Sequence, residues 1–287
     1  MMSGKNFDSE QIADREFEFN ESDFRRIKEL ITKHAGIVLT DAKRQLVYSR
    51  LTRRLRALNI SRFSDYLELI GNDDVELVNL VNAITTNLTS FFREKHHFEY
   101  LKNQVFPELI NKNRDSRRIR IWSAGCSTGE EPYSLAITVR EFFERHPNWD
   151  VRILATDIDT NVVEKAQSGV YAVDRISELD DRVKKKWFVR GKGSNDGQVR
   201  VSEDVQKLIS FKQLNLLQHW PMKGPFDVIF CRNVVIYFDK PTKVQLFERY
   251  SRIMAPQGHL FIGHSESLFN ISDDFRLLGN TIYQKKV

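Results

Sequence analysis

Ile119–Ala136 reads IRIWSAGCSTGEEPYSLA, and the order of its residue types predicts a strand, a glycine loop and a helix in succession. A short apolar run leads into Ala124-Gly125-Cys126-Ser127-Thr128-Gly129, then Glu130-Glu131-Pro132 and an apolar-periodic segment. Gly125 and Gly129 give the loop the freedom to turn sharply and let a ligand approach the main chain. Ser127 or Thr128 is expected to cap the helix; Glu130 and Glu131 suit the positive end of its dipole, and Pro132 is tolerated in its first turn.

The loop does not fit a phosphate. A dinucleotide fingerprint needs a third glycine, and a phosphate-binding P-loop needs Lys where Glu130 follows Gly129. Two carboxylates behind the loop repel a pyrophosphate and suit a cationic or hydroxyl-bearing ligand. The next strand, VRILATDI over 151–158, ends at Asp157, where an acceptor can take the ribose hydroxyls of an adenosine. A nucleoside with positive charge and no phosphate is S-adenosylmethionine, the cofactor these residues point to.

At 287 residues and 41% hydrophobic, the chain is long enough for a full α/β core and a smaller second domain. No apolar run approaches membrane-spanning length and the N-terminus is too polar for a signal peptide, so a cytoplasmic protein without membrane insertion is expected. Cys126 and Cys231 sit in no metal or redox spacing; reduced thiols and no metal are expected. The net charge of +5 with a pI near 9.1 indicates an anionic partner, which an acidic protein surface satisfies as well as nucleic acid.

Residues 1–20 read as a disordered leader and 21–90 as a helical domain. Its second helix, from about Asp41 to Leu58, has an apolar stripe of Val47, Leu51, Leu55 and Leu58 beside a cationic face of Lys43, Arg50, Arg53 and Arg54. Asp41 is the only acid in that segment, unlike the mixed signs of a merely solvated face. The stretch 85–94 crowds hydroxyls, an amide, two rings and Arg93 together and is read as lining a ligand. Residues 91–287 read as an α/β domain interrupted at about 186–212 by a small antiparallel sheet of Trp187–Arg190, Val199–Val201 and Leu208–Lys212. FDVIFC over 226–231 resumes the main sheet, and a hairpin around Gly279-Asn280 closes it.

TTNLTSFFRE, SAGCSTGEEPYSLA, ATDID, GPFDVIFCRNVVIYFD and GHSES, in this order, resemble the chemotaxis-receptor methyltransferases, the CheR family. The match runs from about Phe24 onward. It implies a helical N-terminal domain joined to a Rossmann-like methyltransferase domain with an inserted β-subdomain. It further implies a pocket for S-adenosylmethionine, with S-adenosylhomocysteine as product, built from Asn87, Thr89, Arg93, Glu131, Asp157, Asn215, Leu216, Arg232 and Asn233. Arg93 and Tyr237 are implied nearest the reacting centre, and the reaction is methyl transfer to glutamate carboxylates of membrane chemoreceptors, giving γ-methyl esters. Receptor methylation helices are rich in Glu and Gln, so Lys43, Arg50, Arg53 and Arg54 are expected to dock on them, with a receptor C-terminal peptide adding to the β-subdomain in some members.

Two other classes remain as contrasts. Nucleic-acid methyltransferases of the amino-modifying type carry Asn/Asp-Pro-Pro-Tyr where this chain has Cys231-Arg232-Asn233-Val234-Val235, and neither cysteine follows a proline as a cytosine-attacking nucleophile does. A non-catalytic receptor adaptor would have no need of Arg93, Glu131, Asp157 and Tyr237 together.

Overall fold

The computed structural model describes residues 16–287, and the chain forms two compact units, one of residues up to 34 with 38–84 and one of 35–37 with 85–287. The division falls between Ile84 and Thr85 rather than after residue 90, because the side chains of 85–94 bond within the second unit, as set out below. Of the expected disordered leader, residues 1–15 lie outside the described residues. Residues 16–20 are ordered, contrary to expectation. Phe17 and Phe19 are buried, with the Phe19 ring 4.5 Å from that of Phe63 and 5.8 Å from that of Tyr48. Two buried rings supply enough apolar contact to hold a short polar stretch in place.

The first unit holds α1 (Glu21–Ala35), α2 (Arg44–Leu58), α3 (Phe63–Asn72) and α4 (Asp74–Ile84), with Asp41–Lys43 a single 3-10 turn before α2. At the start of α1, Asn20 Oδ1 accepts from Asp23 N (2.9 Å) and Asp23 Oδ2 accepts from Asn20 N (3.1 Å), a reciprocal cap. The apolar stripe of α2 is buried as expected at Val47, Leu51 and Leu55.

Its cationic face is divided. Lys43 and Arg53 are exposed, whereas Arg50 donates to Ile84 O (2.6 Å) at the end of α4. Arg54 Nε donates to Glu76 Oε1 (2.7 Å), and Glu76 also accepts from Tyr66 Oη (2.9 Å) and Asn79 Nδ2 (3.1 Å). The second guanidinium nitrogen of Arg54 meets Glu76 Oε2, making the pair bidentate. Lys43 lies in the 3-10 turn before α2, and the carboxylate that claims Arg54 lies on another helix.

The second unit continues with α5 (His96–Tyr100), a wider turn over Leu101–Val105, α6 (Phe106–Lys112), β1 (Arg118–Ala124), α7 (Glu130–Phe143), β2 (Asp150–Asp157) and α8 (Thr160–Ser168). Next come β3 (Val170–Ala172), α9 (Asp181–Trp187), β4 (Phe188–Arg190), β5 (Gln198–Val201), α10 (Glu203–Gln206) and β6 (Ile209–Gln213). The chain ends with β7 (Phe226–Cys231), α11 (Lys240–Ile253), β8 (Met254–Ile262), β9 (Phe275–Gly279) and β10 (Ile282–Lys285). The main sheet has the order β6-β2-β1-β7-β8-β10-β9. Its first five strands run parallel, and β10 and β9 close it antiparallel. Both faces are covered, so β1 alternates Ile119 and Ile121 into one core with Trp122 into the other.

The inserted sheet corrects one expectation. Its order is β3-β5-β4, so the third strand is Val170–Ala172, while the segment expected to supply it pairs in parallel with β2 at the edge of the main sheet. A run of five residues with one buried ring, Phe211, fits either sheet by pattern alone. Among the described residues, no helix is long and apolar enough to cross a membrane.

Burial alone would raise the Glu76 carboxyl, but bonds from Arg54, Tyr66 and Asn79 outweigh it and hold it below its ordinary 4.5. Removing the carboxylate strands a half-buried guanidinium and a buried phenol. Glu76→Ala should therefore cost the helical unit about 2–3 kcal/mol, read by urea denaturation at neutral pH. A depressed carboxylate stabilises above its unfolded pKa, so this contribution should vanish from the wild type as pH falls well below 4.5.

Candidate active site

Strand order reverses at β1, which has β2 on one side and β7 on the other, and ligands of open α/β sheets bind beyond the carboxyl ends of strands at such a point. The glycine loop leaves β1 there. Gly125 N and Cys126 N both donate to Thr156 O (2.8 and 2.9 Å), and Ser127 N donates to Asp157 Oδ2 (2.8 Å). Gly125 has φ +101°, and a Cβ added to it would collide with Val234 Cγ2 from the loop after β7. Gly129, at φ +99°, lies where a Cβ would sit 2.9 Å from that of Ala166.

That crowding also overturns the expected cap. Gly129, not Ser127 or Thr128, stands at the N-cap of α7 and offers no side-chain bond; Thr128 Oγ1 instead donates to Glu130 Oε2 (2.6 Å). The two acids behind the loop have separate partners. Glu130 is buried and pairs with Arg175, which also donates to Thr89 O (2.6 Å). Glu131 accepts from Ser123 Oγ (2.7 Å) and from the Arg232 guanidinium (3.1 Å).

Two networks gather most of the expected residues around the loop. In one, Asn87 Nδ2 donates to Asp159 Oδ2 (2.7 Å), Asn87 O accepts from Ser127 Oγ (3.0 Å), and Asp157 Oδ1 accepts from Asp159 N (3.1 Å). Leu214 N donates to Asp157 O (2.8 Å), which brings Asn215 and Leu216 to the end of β2. Asn215 Oδ1 there accepts from Leu217 N (2.9 Å), while the Leu216 side chain is packed in the core. In the other network the Arg232 side chain, 2% exposed, bridges Glu131 and Glu94 (3.3 Å) and donates to Arg93 O. The Arg93 guanidinium itself donates to Leu88 O (3.0 Å), and among the described residues no carboxylate pairs with it.

Glu266 holds the loop after β7. Its carboxylate accepts from Gly263 N (2.6 Å), Asn233 N (2.9 Å) and Val235 N (3.0 Å), with Asn233 in the left-handed region at φ 59°. Half-buried Tyr237 ends the short helical turn Val235–Tyr237 in that loop. Glu94, Asp159 and Glu266 were not singled out by sequence. Each sits inside a quoted motif, but a carboxylate's letter does not say whether it faces a ligand or a backbone amide.

Burial is the main cause of the upward shifts here. It raises the Asp157 carboxyl to about 6 against the bonds from Asp159 and Ser127, and raises that of Glu131 despite Arg232. Both thiols are free and buried, and burial pushes both upward. As for metals, Glu94, His96 and His97 bring three potential ligand atoms within 4.8 Å of one another. Arg232 already supplies positive charge at Glu94, and burial followed by Arg232 lowers the His97 imidazole to about 4. A cleft of about 900 Å³ near the C-terminal end of α7, lined by Phe98, Phe142 and Trp187, contains none of the expected site residues.

The donor set fits S-adenosylmethionine. Arg175 and Arg232 are neutralised by Glu130 and Glu131, and the Gly125, Cys126 and Ser127 amides are spent inside the fold, so carboxylates dominate behind the loop. That composition suits ribose hydroxyls and a sulfonium and disfavours phosphate.

Comparison with known proteins agrees. Residues 87–284 match the family described as CheR methyltransferase, SAM binding domain, and residues 22–85 match its all-alpha domain. A chemotaxis protein methyltransferase 2 of Pseudomonas aeruginosa is 44% identical, covering 95% of this chain and 96% of the relative. The chemotaxis protein methyltransferase of Escherichia coli is 43% identical, with 92% and 91% covered.

Glu266→Gln keeps the shape but turns an amide donor toward backbone N–H groups. It should cost about 1–3 kcal/mol by thermal denaturation and loosen the loop from Arg232 to Tyr237.

Proposed function

Because this chain belongs to the CheR methyltransferase family, we propose that it methylates the side-chain carboxylates of specific glutamates in the cytoplasmic helices of chemoreceptors. S-adenosylmethionine-dependent methyl transfer in chemotaxis follows from that membership; the acceptor and the residue roles are the proposal. The observation that carries it is Arg93, a guanidinium beside the glycine loop with no carboxylate partner among the described residues while Arg175 and Arg232 are paired. A glutamate side chain supplies the missing anion.

When bound, S-adenosylmethionine supplies an electrophilic methyl group on a sulfonium. Asp157 would accept from its ribose, Glu131 and the glycine loop would border it, and Asn87, Thr89, Asn215, Leu216 and Asn233 would line the remainder. Arg93 holds one oxygen of the acceptor carboxylate, and the Tyr237 hydroxyl orients the other reacting end. No general base is needed, because a glutamate is already ionised at neutral pH. The bound cofactor would give its methyl group to the carboxylate oxygen, leaving a glutamate methyl ester and S-adenosylhomocysteine. The gain comes from alignment and from stripping water off the carboxylate. Exposed Lys43 and Arg53 steer the acidic receptor helices, and the sheet of β3, β5 and β4 offers an edge to a receptor C-terminal peptide.

The test is to incubate the full-length protein with methyl-labelled S-adenosylmethionine and either receptor-bearing membranes or RNA. Label is expected on receptor protein and released by mild alkali, as an ester requires. Alkali-stable label, or label on RNA, would falsify the glutamate reading, and cofactor binding without any transfer would indicate an adaptor.

The ribose role of Asp157 has a pH signature. An ionised carboxylate is the better acceptor, so cofactor affinity should rise as pH climbs through about 6. Calorimetry on Asp157→Asn should show that rise abolished, with affinity at pH 8 lowered by roughly 1.5–3 kcal/mol.

A further inference from the structure

Leu88, Ile236 and Phe269 are exposed large apolar side chains, at 79%, 46% and 80%. They lie on three separate segments: the stretch before α5, the loop after β7 and the loop after β8. Those segments are tied to one another and to the glycine loop. Ser127 holds the carbonyl of Asn87, next to Leu88. Val234 packs on Gly125, and Glu266 joins the loop after β8 to the one after β7. His264 Nδ1 meets Glu94 Oε1 at 3.0 Å, which closes the ring. β7 and β8 are parallel to β1, so Ile236 and Phe269 come from loops at the carboxyl end of the sheet where the glycine loop lies, and the bond from Ser127 to Asn87 O brings Leu88 to the same loop.

Exposed apolar side chains are ordinary when scattered; three on segments bonded into one ring, beside a guanidinium with no carboxylate partner among the described residues, are a patch with a chemistry. We propose that Leu88, Ile236 and Phe269 form an apolar rim that seats an amphipathic helix of the acceptor, gripping the side chains that flank the target glutamate. Charge complementarity selects that occupant: Arg93, whose guanidinium donates to Leu88 O, calls for a carboxylate, and the rim calls for apolar neighbours one helical turn away. A free amino acid offers only the first. This inference rests on the proposed function and names what the site recognises around the carboxylate.

The experiment compares wild type with Leu88→Ser/Phe269→Ser and with Ile236→Ser, using a purified cytoplasmic fragment of a methyl-accepting chemoreceptor. KM for the fragment should rise roughly tenfold or more in the double variant, the scale for losing central apolar contacts, with kcat little changed. The rise should be equal at low and high salt, because apolar contacts are not screened; the loss caused by Lys43→Glu/Arg53→Glu should fade as salt increases. S-adenosylmethionine affinity and melting temperature should stay at wild-type values. An unchanged KM, or a KM defect that salt removes, overturns the rim. Calorimetry of the same fragment with S-adenosylhomocysteine present separates the two readings. Wild-type binding that the rim variants lose, without any methylation, sinks the reaction and keeps the rim; equal binding by wild type and variants, or none by wild type, sinks the rim.

Discussion

The buried Arg232 guanidinium is the constraint on which the rest of the site depends. It is enclosed by Glu94 and Glu131, takes the carbonyl of Arg93, and lies 5.8 Å from the Phe98 ring and 6.0 Å from the Phe230 ring. A charge removed from water in this way is tolerable only when its partners are in place, so the guanidinium fixes them in turn. Through it, the segment before α5, the start of α7 and the end of β7 share one geometry. Glu266 does the equivalent for the backbone after β7, with amides in place of a cation. The walls of the site are therefore set by charge and hydrogen bonding, while the two apolar cores set the sheet beneath.

This division explains what could be read from the residues alone. The strand, loop and helix at 119–136, the strand ending in Asp157 and the apolar FDVIFC strand follow from local pattern and from glycine's backbone freedom, and all three are found. The family motifs, taken together, point to the cofactor. Features that hinge on a distant partner are less legible. Nothing near Arg54 announces Glu76 on α4, so a face grouped by helical spacing proves to be half structural. Ser127 and Thr128 have the chemistry of a cap, yet Ala166 and Tyr171 leave room only for a glycine at that position. Ile209–Gln213 has the composition of a strand, but composition does not choose between two sheets.

The clustering of carboxylates has a common physical theme. Asp157 and Glu266 are buried and Glu131 is half-buried, and each is held by donors that are costly to lose out of water. Asp157 and Glu131 face the glycine loop and α7, where a ligand can share their remaining lone pairs. Glu266 spends its lone pairs on backbone amides and serves as scaffold. The same side-chain chemistry thus serves recognition or construction according to how many donors the fold has already aimed at it.

The packing of Phe17 and Phe19 sets where the chain can be cut. The polarity of the first twenty residues invites trimming them away before α1, or fusing a tag directly to Glu21. Either change deletes the Phe19 ring from a cluster with Phe24, Tyr48 and Phe63, the buried Phe17 whose N donates to Tyr48 Oη, and the Glu16 carboxylate that pairs with Arg56. The helical unit would then present a greasy hollow to water and a tendency to self-associate. A minimal helical fragment therefore begins no later than Glu16.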